Sequence, residues 1–201
     1  MLPRLILASA SPARLKTLRN AGIEPLVEVV DLDEEALLDA AGPLTPSDAV
    51  LALARAKAEH VLARTAQGAE LVLGCDSMLE LEGRVLGKPR DATEALERWH
   101  QMRGRTGALH TGHWLTGTLG TVGATASTTV HFADLTDEEI EAYVATGEPL
   151  VVAGAFTVDG LGGPFVSAID GDFHNVVGLS LPLLRELLAA VGVPITALWQ
   201  R

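Results

Sequence analysis

Leu5-Ile6-Leu7-Ala8 runs straight into Ser9-Ala10-Ser11-Pro12-Ala13-Arg14-Leu15, and this junction decides the fold. The apolar run reads as a short buried strand that delivers the chain onto the start of a helix. Ser11 is a good N-cap, and Pro12 suits the first helical position because it has no N–H to leave unpaired. The free N–H groups of such a helix start, the hydroxyls of Ser9 and Ser11, and Arg14 together make an anion pocket. Phosphate is the obvious anion. A plainer reading stands beside it: an ordinary strand-to-helix turn whose serines cap and whose arginine is solvated.

Working outward, 201 residues fit one domain, or one domain with a modest lobe, and can bury a substantial core. An apolar content of 48% argues against disorder, and with aromatics at only 4% the core is expected to consist of Ala, Val and Leu. A net charge of −11 disfavours a nucleic-acid-coating protein and requires any polyanionic substrate to be held by a local basic cluster or a metal. The lone Cys75 excludes an internal disulfide and fits a reducing cytosol. No signal segment is visible, and no apolar stretch reaches the roughly 18 residues needed to span a bilayer. The expectation is a cytoplasmic protein with neither a membrane nor a nucleic-acid polymer as partner.

Strand-like and helical runs alternate along the chain. After the first helix, about residues 12–21, residues 26–30 read as a strand running into the acidic patch Asp31-Leu32-Asp33-Glu34-Glu35. Thr45-Pro46-Ser47-Asp48 opens a long helix to about Thr65, followed by a break at Gln67-Gly68. Leu71-Val72-Leu73-Gly74-Cys75 is a buried strand expected to end on Asp76, and residues 80–86 alternate around Gly83 as a hairpin would. Asp91 starts a helix to about Met102. Residues 107–132 read as two long antiparallel strands with a turn at 119–123. Thr136-Asp137-Glu138-Glu139 fits a capping box before a helix to about Ala145. A glycine-rich stretch, 154–163, leads to a strand at 165–169, and a last helix covers about 181–191. The sum is a compact α/β unit.

Several side chains stand out against this pattern. Lys57 falls inside the apolar stripe of Val50, Ala54 and Val61, so it either snorkels to the rim or projects inward to meet phosphate. Asp76, at the expected end of a strand, suits a metal ligand or a proton acceptor, or else it caps a turn. Glu34 is a second candidate metal ligand, or part of a solvated acidic loop. Lys88, in Gly83-Arg84-Val85-Leu86-Gly87-Lys88-Pro89, is aimed by its proline, but the segment is not a P-loop: three residues separate its glycines and Pro89 stands where a Ser or Thr is needed. His110 and His113, three apart on a strand, face opposite ways and are poor joint ligands. Cys75 reads as a small core residue.

Seven blocks in order carry a resemblance over nearly the whole chain. They are Leu7-Ala8-Ser9-Ala10-Ser11-Pro12-Ala13-Arg14, Asp33-Glu34, Ala54-Arg55-Ala56-Lys57-Ala58, Leu73-Gly74-Cys75-Asp76-Ser77, Leu86-Gly87-Lys88-Pro89, Gly147-Glu148-Pro149, and Gly171-Asp172 with Asn175-Val176-Val177-Gly178-Leu179. In these the chain resembles the Maf family of nucleoside triphosphate pyrophosphatases, and distantly the inosine triphosphatase fold. The resemblance implies a mixed sheet with flanking helices, two lobes around a nucleotide cleft, and one Maf-type domain over residues 1–201. It implies hydrolysis between the α and β phosphates to a monophosphate and diphosphate, with a divalent cation, Mg2+ or Mn2+. Asp76 would be the proton acceptor; Ser9, Ser11, Arg14, Lys57 and Lys88 would hold the triphosphate; Glu34 and Asp76 would hold the metal.

Base preference falls, by the same resemblance, to Ala13, Ser77 and Asp159. Pyrimidine-preferring members carry Arg, Thr and Gln there, and 7-methylguanine-preferring members carry Trp, Gln and Glu, so Asp159 alone echoes the second group. Val151 and Val152 replace a usual Asp-Lys pair, and Gly107 a usual histidine. The expected partner is a nucleoside triphosphate, with a homodimer left open as the assembly. A rival reading is a nucleotide-binding regulator of septum formation and cell division that hydrolyses little; the presence of Asp76 and Lys88 favours the enzyme.

Overall fold

The computed structural model describes residues 4–65 and 70–200, so the expected break at Gln67-Gly68 lies outside the described residues. The strands are β1 (Arg4–Ala8), β2 (Leu26–Val27), β3 (Glu70–Leu81), β4 (Arg84–Leu86), β5 (Thr106–Gly117), β6 (Gly120–Phe132) and β7 (Val166–Asp170). The helices are α1 (Pro12–Asn20), α2 (Glu34–Ala41), α3 (Pro46–Leu62), α4 (Ala92–Met102), α5 (Asp137–Ala145), α6 (Phe173–Val177) and α7 (Leu181–Ala190). The strands form one seven-stranded sheet in the order β2-β1-β3-β5-β6-β7, with β4 on β3. Pairing of β1 with β2 and β3 is parallel, whereas β3–β4 and β6–β7 are antiparallel. The sheet is therefore mixed, in an α/β fold. Two compact units divide the chain: the first is Met1–Asp76, Thr111–Ala126 and Gly178–Arg201, the second Ser77–His110 and Ser127–Val177.

In the first unit the period of two along each strand sorts the core into two faces. Leu5, Leu7, Leu71, Leu73 and Cys75 pack with Leu18 of α1 and with Leu184, Leu187 and Leu188 of α7. Ile6, Ala8 and Val72 point the other way, onto Ala58 and Val61 of α3. Gly74 shares that face. A Cβ there would stand 2.0 Å from the Ala54 carbonyl oxygen, so only glycine lets α3 press its backbone onto β3. Gly112 does the same on β5, where a Cβ would lie 2.3 Å from the Val50 carbonyl oxygen.

The second unit departs from the expected aliphatic core. Trp99 is fully buried, with edge-on ring contacts to Phe132, Tyr143 and Phe165 at 5.8, 5.4 and 6.0 Å, and its indole N–H donates to the Ala155 carbonyl at 2.8 Å. Five of the eight aromatic residues, Trp99, Phe132, Tyr143, Phe156 and Phe165, share this one core, which composition alone could not reveal.

Capping at the helix starts follows the sequence closely: Ser11, Thr45, Asp91, Thr136 and Ser180 all cap through their side chains, and Thr136 with Glu139 completes a capping box. Glu82 and Gly83, both at positive φ, make the tight β3–β4 turn. Three expectations change. The second strand is only Leu26–Val27. The acidic patch becomes α2, capped by Asp33, with Glu34 and Glu35 in its first turn, where carboxylates meet the positive end of the helix dipole. And β3 does not stop at Asp76 but continues five residues further, to Leu81.

Candidate active site

Parallel pairing sets Ala8 of β1 beside Gly74 of β3, so the strand-to-helix turn after β1 lies next to the stretch that carries Asp76. In that turn Ser9 is buried and central. Its hydroxyl oxygen accepts the Ser11 N–H at 3.2 Å and an Arg14 Nη1–H at 3.1 Å. Ser11 caps α1 by accepting the Arg14 N–H at 3.4 Å. Arg14 is fixed at its other edge, where Nε donates to the Gly178 carbonyl at 2.7 Å. The arginine is thus oriented rather than solvated. Gly178, from the block before α7, is a positioning residue that sequence reasoning left without a role.

Gly74 and Asp76 are two apart on one strand and share a face; Ala54, Lys57 and Ala58 share one side of α3. The close approach that Gly74 permits therefore carries Lys57 onto Asp76. The Lys57 ammonium lies 2.5 Å from Asp76 Oδ1 and 2.7 Å from Glu34 Oε1. It does not snorkel: its side chain is only 13% exposed, and Asp76 is 11% exposed. Burial pushes the Asp76 carboxyl above its ordinary range, opposed by the positive charges of Lys57 and Arg14 and reinforced by Glu34. Asp76 gains its setting from the middle of a buried strand, not from a strand's end. Glu34 gains its reach from the first turn of α2.

The structure therefore gathers Ser9, Ser11, Arg14, Glu34, Lys57 and Asp76 in the first unit, with half-buried Ala13 on α1. Lys88, Ser77 and Asp159 belong to the second unit. Lys88 is exposed between β4 and α4, and its carbonyl accepts from Arg98 at 3.4 Å. Ser77 follows Asp76 on β3 and is half-buried, and Asp159 is exposed in the loop after Phe156. The two histidines serve separate structural roles. His113 accepts the Ser180 N–H through Nε2 at 2.9 Å, while His110 lies 2.7 Å from Ser127 Oγ and 3.0 Å from Glu80 Oε2. Cys75 is buried and its thiol is pushed up to about 12, chiefly by burial.

Among the described residues no three His, Cys, Asp or Glu side chains cluster to hold a metal, and no helix is long and apolar enough to cross a membrane. Asp76 and Glu34 nonetheless converge on a single positive centre, and their hard oxygen donors are the kind that Mg2+ takes in ones and twos beside substrate phosphates.

The family model described as Maf-like protein matches residues 4–191. The chain belongs to the Maf family. This Maf chain is 58% identical over 204 residues to a protein of Salinispora tropica named nucleoside triphosphate pyrophosphatase, covering 98% of this chain and 88% of that one. A protein of the same name from Streptomyces coelicolor is 58% identical over 198 residues, covering 98% and 94%. Among solved structures, the Staphylococcus aureus Ham1 protein aligns with 65% of the Maf chain and 72% of its own, at 15% identity and a TM-score of 0.41.

Proposed function

We propose that this Maf chain is a nucleoside triphosphate pyrophosphatase: it hydrolyses the α–β phosphoanhydride, releases a nucleoside monophosphate and diphosphate, and so removes non-standard or modified nucleotides. The observation that carries this reading is a buried carboxylate, Asp76, held by Lys57 beside an oriented Ser9–Arg14 anion cradle. Relatives named for this activity support it.

In the reaction, water attacks the α phosphorus, its proton passes to Asp76, and the bond to the bridging oxygen breaks as diphosphate leaves. Lys57 already occupies Oδ1, which leaves Oδ2 as the accepting atom in this scheme. A carboxyl lifted by burial is a better base than an exposed one. Arg14 and the Ser9 and Ser11 hydroxyls bind phosphate oxygens, and Lys57 adds charge as the negative triphosphate arrives. Lys88 is a further phosphate ligand in this scheme. Asp76 and Glu34 would hold a divalent cation, Mg2+ or Mn2+, which would supply additional charge neutralisation when bound. The deciding assay offers common and modified nucleoside triphosphates with either metal. Monophosphate plus diphosphate, abolished by a chelator, is the expected result; inorganic phosphate with a nucleoside diphosphate overturns the reading.

Base preference follows from Asp159, with Ala13 and Ser77 as the other two positions. A carboxylate accepts hydrogen bonds and donates none, so it favours the adjacent N1–H and amine of guanine and repels the carbonyl oxygens of uracil and thymine. Guanine-type or modified purine triphosphates should therefore be used ahead of UTP and dTTP. Asp159→Gln should move preference toward UTP and dTTP; an unchanged preference removes Asp159 from base reading.

A further inference from the structure

Outside the cradle, the most heavily hydrogen-bonded carboxylate among the described residues is Glu148. Gly147, at φ 78, turns the chain out of α5, so Glu148 folds back beside Tyr143 of that helix. Its Oε1 accepts the Tyr143 hydroxyl at 2.9 Å, the Thr157 hydroxyl at 2.6 Å and the Gly162 N–H at 3.0 Å. Its Oε2 accepts the Leu161 N–H at 3.0 Å. The Tyr143 oxygen in turn accepts the Thr157 N–H at 3.2 Å. Every donor outside α5 comes from one short loop, residues 157–162, and from both of its ends.

The loop is wound so tightly that its glycines have no space for a side chain. A Cβ on Gly160 would lie 2.6 Å from Glu148 Oε2, and one on Gly162 would lie 2.4 Å from the Tyr143 oxygen. Asp159 stands at the crest between these anchors, exposed. Four donors occupy the Glu148 carboxylate, so it has little capacity left for a substrate. Whatever it does for recognition, it does through the loop.

We propose that Glu148 is the positioning residue that sets base selectivity, by holding the 157–162 loop so that the Asp159 carboxylate is presented in one fixed place. The proposal rests on the reading of Asp159 given above. Fixing the acceptor in advance matters because a hydrogen bond discriminates between bases only when the wrong base cannot be accommodated by a small shift. Binding of the triphosphate is assigned to other residues, so the effect belongs in selectivity and KM rather than in kcat.

The test uses the full-length protein and three variants, Glu148→Gln, Thr157→Val and Asp159→Gln. Amide hydrogen exchange at Leu161 and Gly162 reports the loop without reference to activity; kcat/KM for GTP and UTP reports selectivity. In Glu148→Gln the side-chain amide turns a donor toward groups that are themselves donors. Protection of the two amides should fall about tenfold while the α5 amides keep theirs, as expected of a local opening. The GTP-to-UTP ratio should fall by about tenfold, carried by KM, and adding Asp159→Gln should lower it no further, as expected when two residues act as one unit. Thr157→Val keeps the carboxylate and removes one donor; it should show the same changes in smaller degree, and it decides the matter if Glu148→Gln does not fold. A loosened loop with unchanged selectivity overturns the proposal, as does unchanged loop protection. If Asp159→Gln leaves selectivity intact while Glu148→Gln alters it, the reading of Asp159 fails and the proposed route through it fails too, though the clamp itself is then seen to act through another loop residue.

Discussion

At the scale of single residues, Asp76 is governed by two opposed effects. Desolvation favours the neutral acid, while Lys57 at 2.5 Å and the nearby Arg14 favour the carboxylate, and burial dominates. That balance suits a group that must take up a proton and return it. Asp76→Asn keeps the shape and can still accept from Lys57, so the fold should survive while turnover falls by about a hundredfold or more. Steady-state kinetics beside a thermal melt check this; near-normal turnover removes Asp76 from the reaction. The sequence marked Lys57 as a lysine in an apolar stripe but could not say whether it reached solvent, because that depends on which side chain of β3 faces α3.

At the scale of elements, the site depends on how closely α3 lies on β3. Gly74→Ala would drive a methyl group into the Ala54 carbonyl oxygen, and backbone cannot yield as a flexible side chain can. The variant should lose about 3 kcal/mol or more of stability and lose activity as Lys57 is lifted from Asp76, measured by denaturant unfolding and by kcat/KM. The Glu148 loop gives a pH signature. Burial pushes the Glu148 carboxyl up, but hydrogen bonds from Thr157, the Leu161 N–H, Tyr143 and the Gly162 N–H outweigh it and hold it below its ordinary 4.5. A depressed carboxylate contributes its stabilisation in full above that ordinary value and loses it as pH falls through the folded value. Exchange protection at Leu161 and Gly162, taken relative to α5, should therefore hold near neutrality and fail on acidification below 4.5. Equal loss in both elements would mean that Glu148 is not what titrates.

Across the whole molecule, two differently built cores carry the two units, one aliphatic and layered on both faces of the sheet, the other centred on Trp99. Trp99→Ala should cost about 3–5 kcal/mol, since it removes a fully buried indole, its ring contacts and its hydrogen bond to Ala155. Denaturant unfolding followed by circular dichroism would measure it, and a loss under 1 kcal/mol would show that the site collapses around the gap. The sequence by itself determined the order of most elements, the caps at Ser11, Thr45, Asp91 and Thr136, and the hairpin at Gly83. These are local: a cap or a turn is decided by residues within one turn of each other. The tertiary structure alone decided that β3 runs on past Asp76, that Arg14 is anchored on Gly178, that Phe132, Tyr143 and Phe165 gather around Trp99 and that Glu148 clamps a loop. Each of these is settled by a partner distant along the chain, whose approach depends on register across strands and on side chains as small as Gly74. No local pattern encodes that distance.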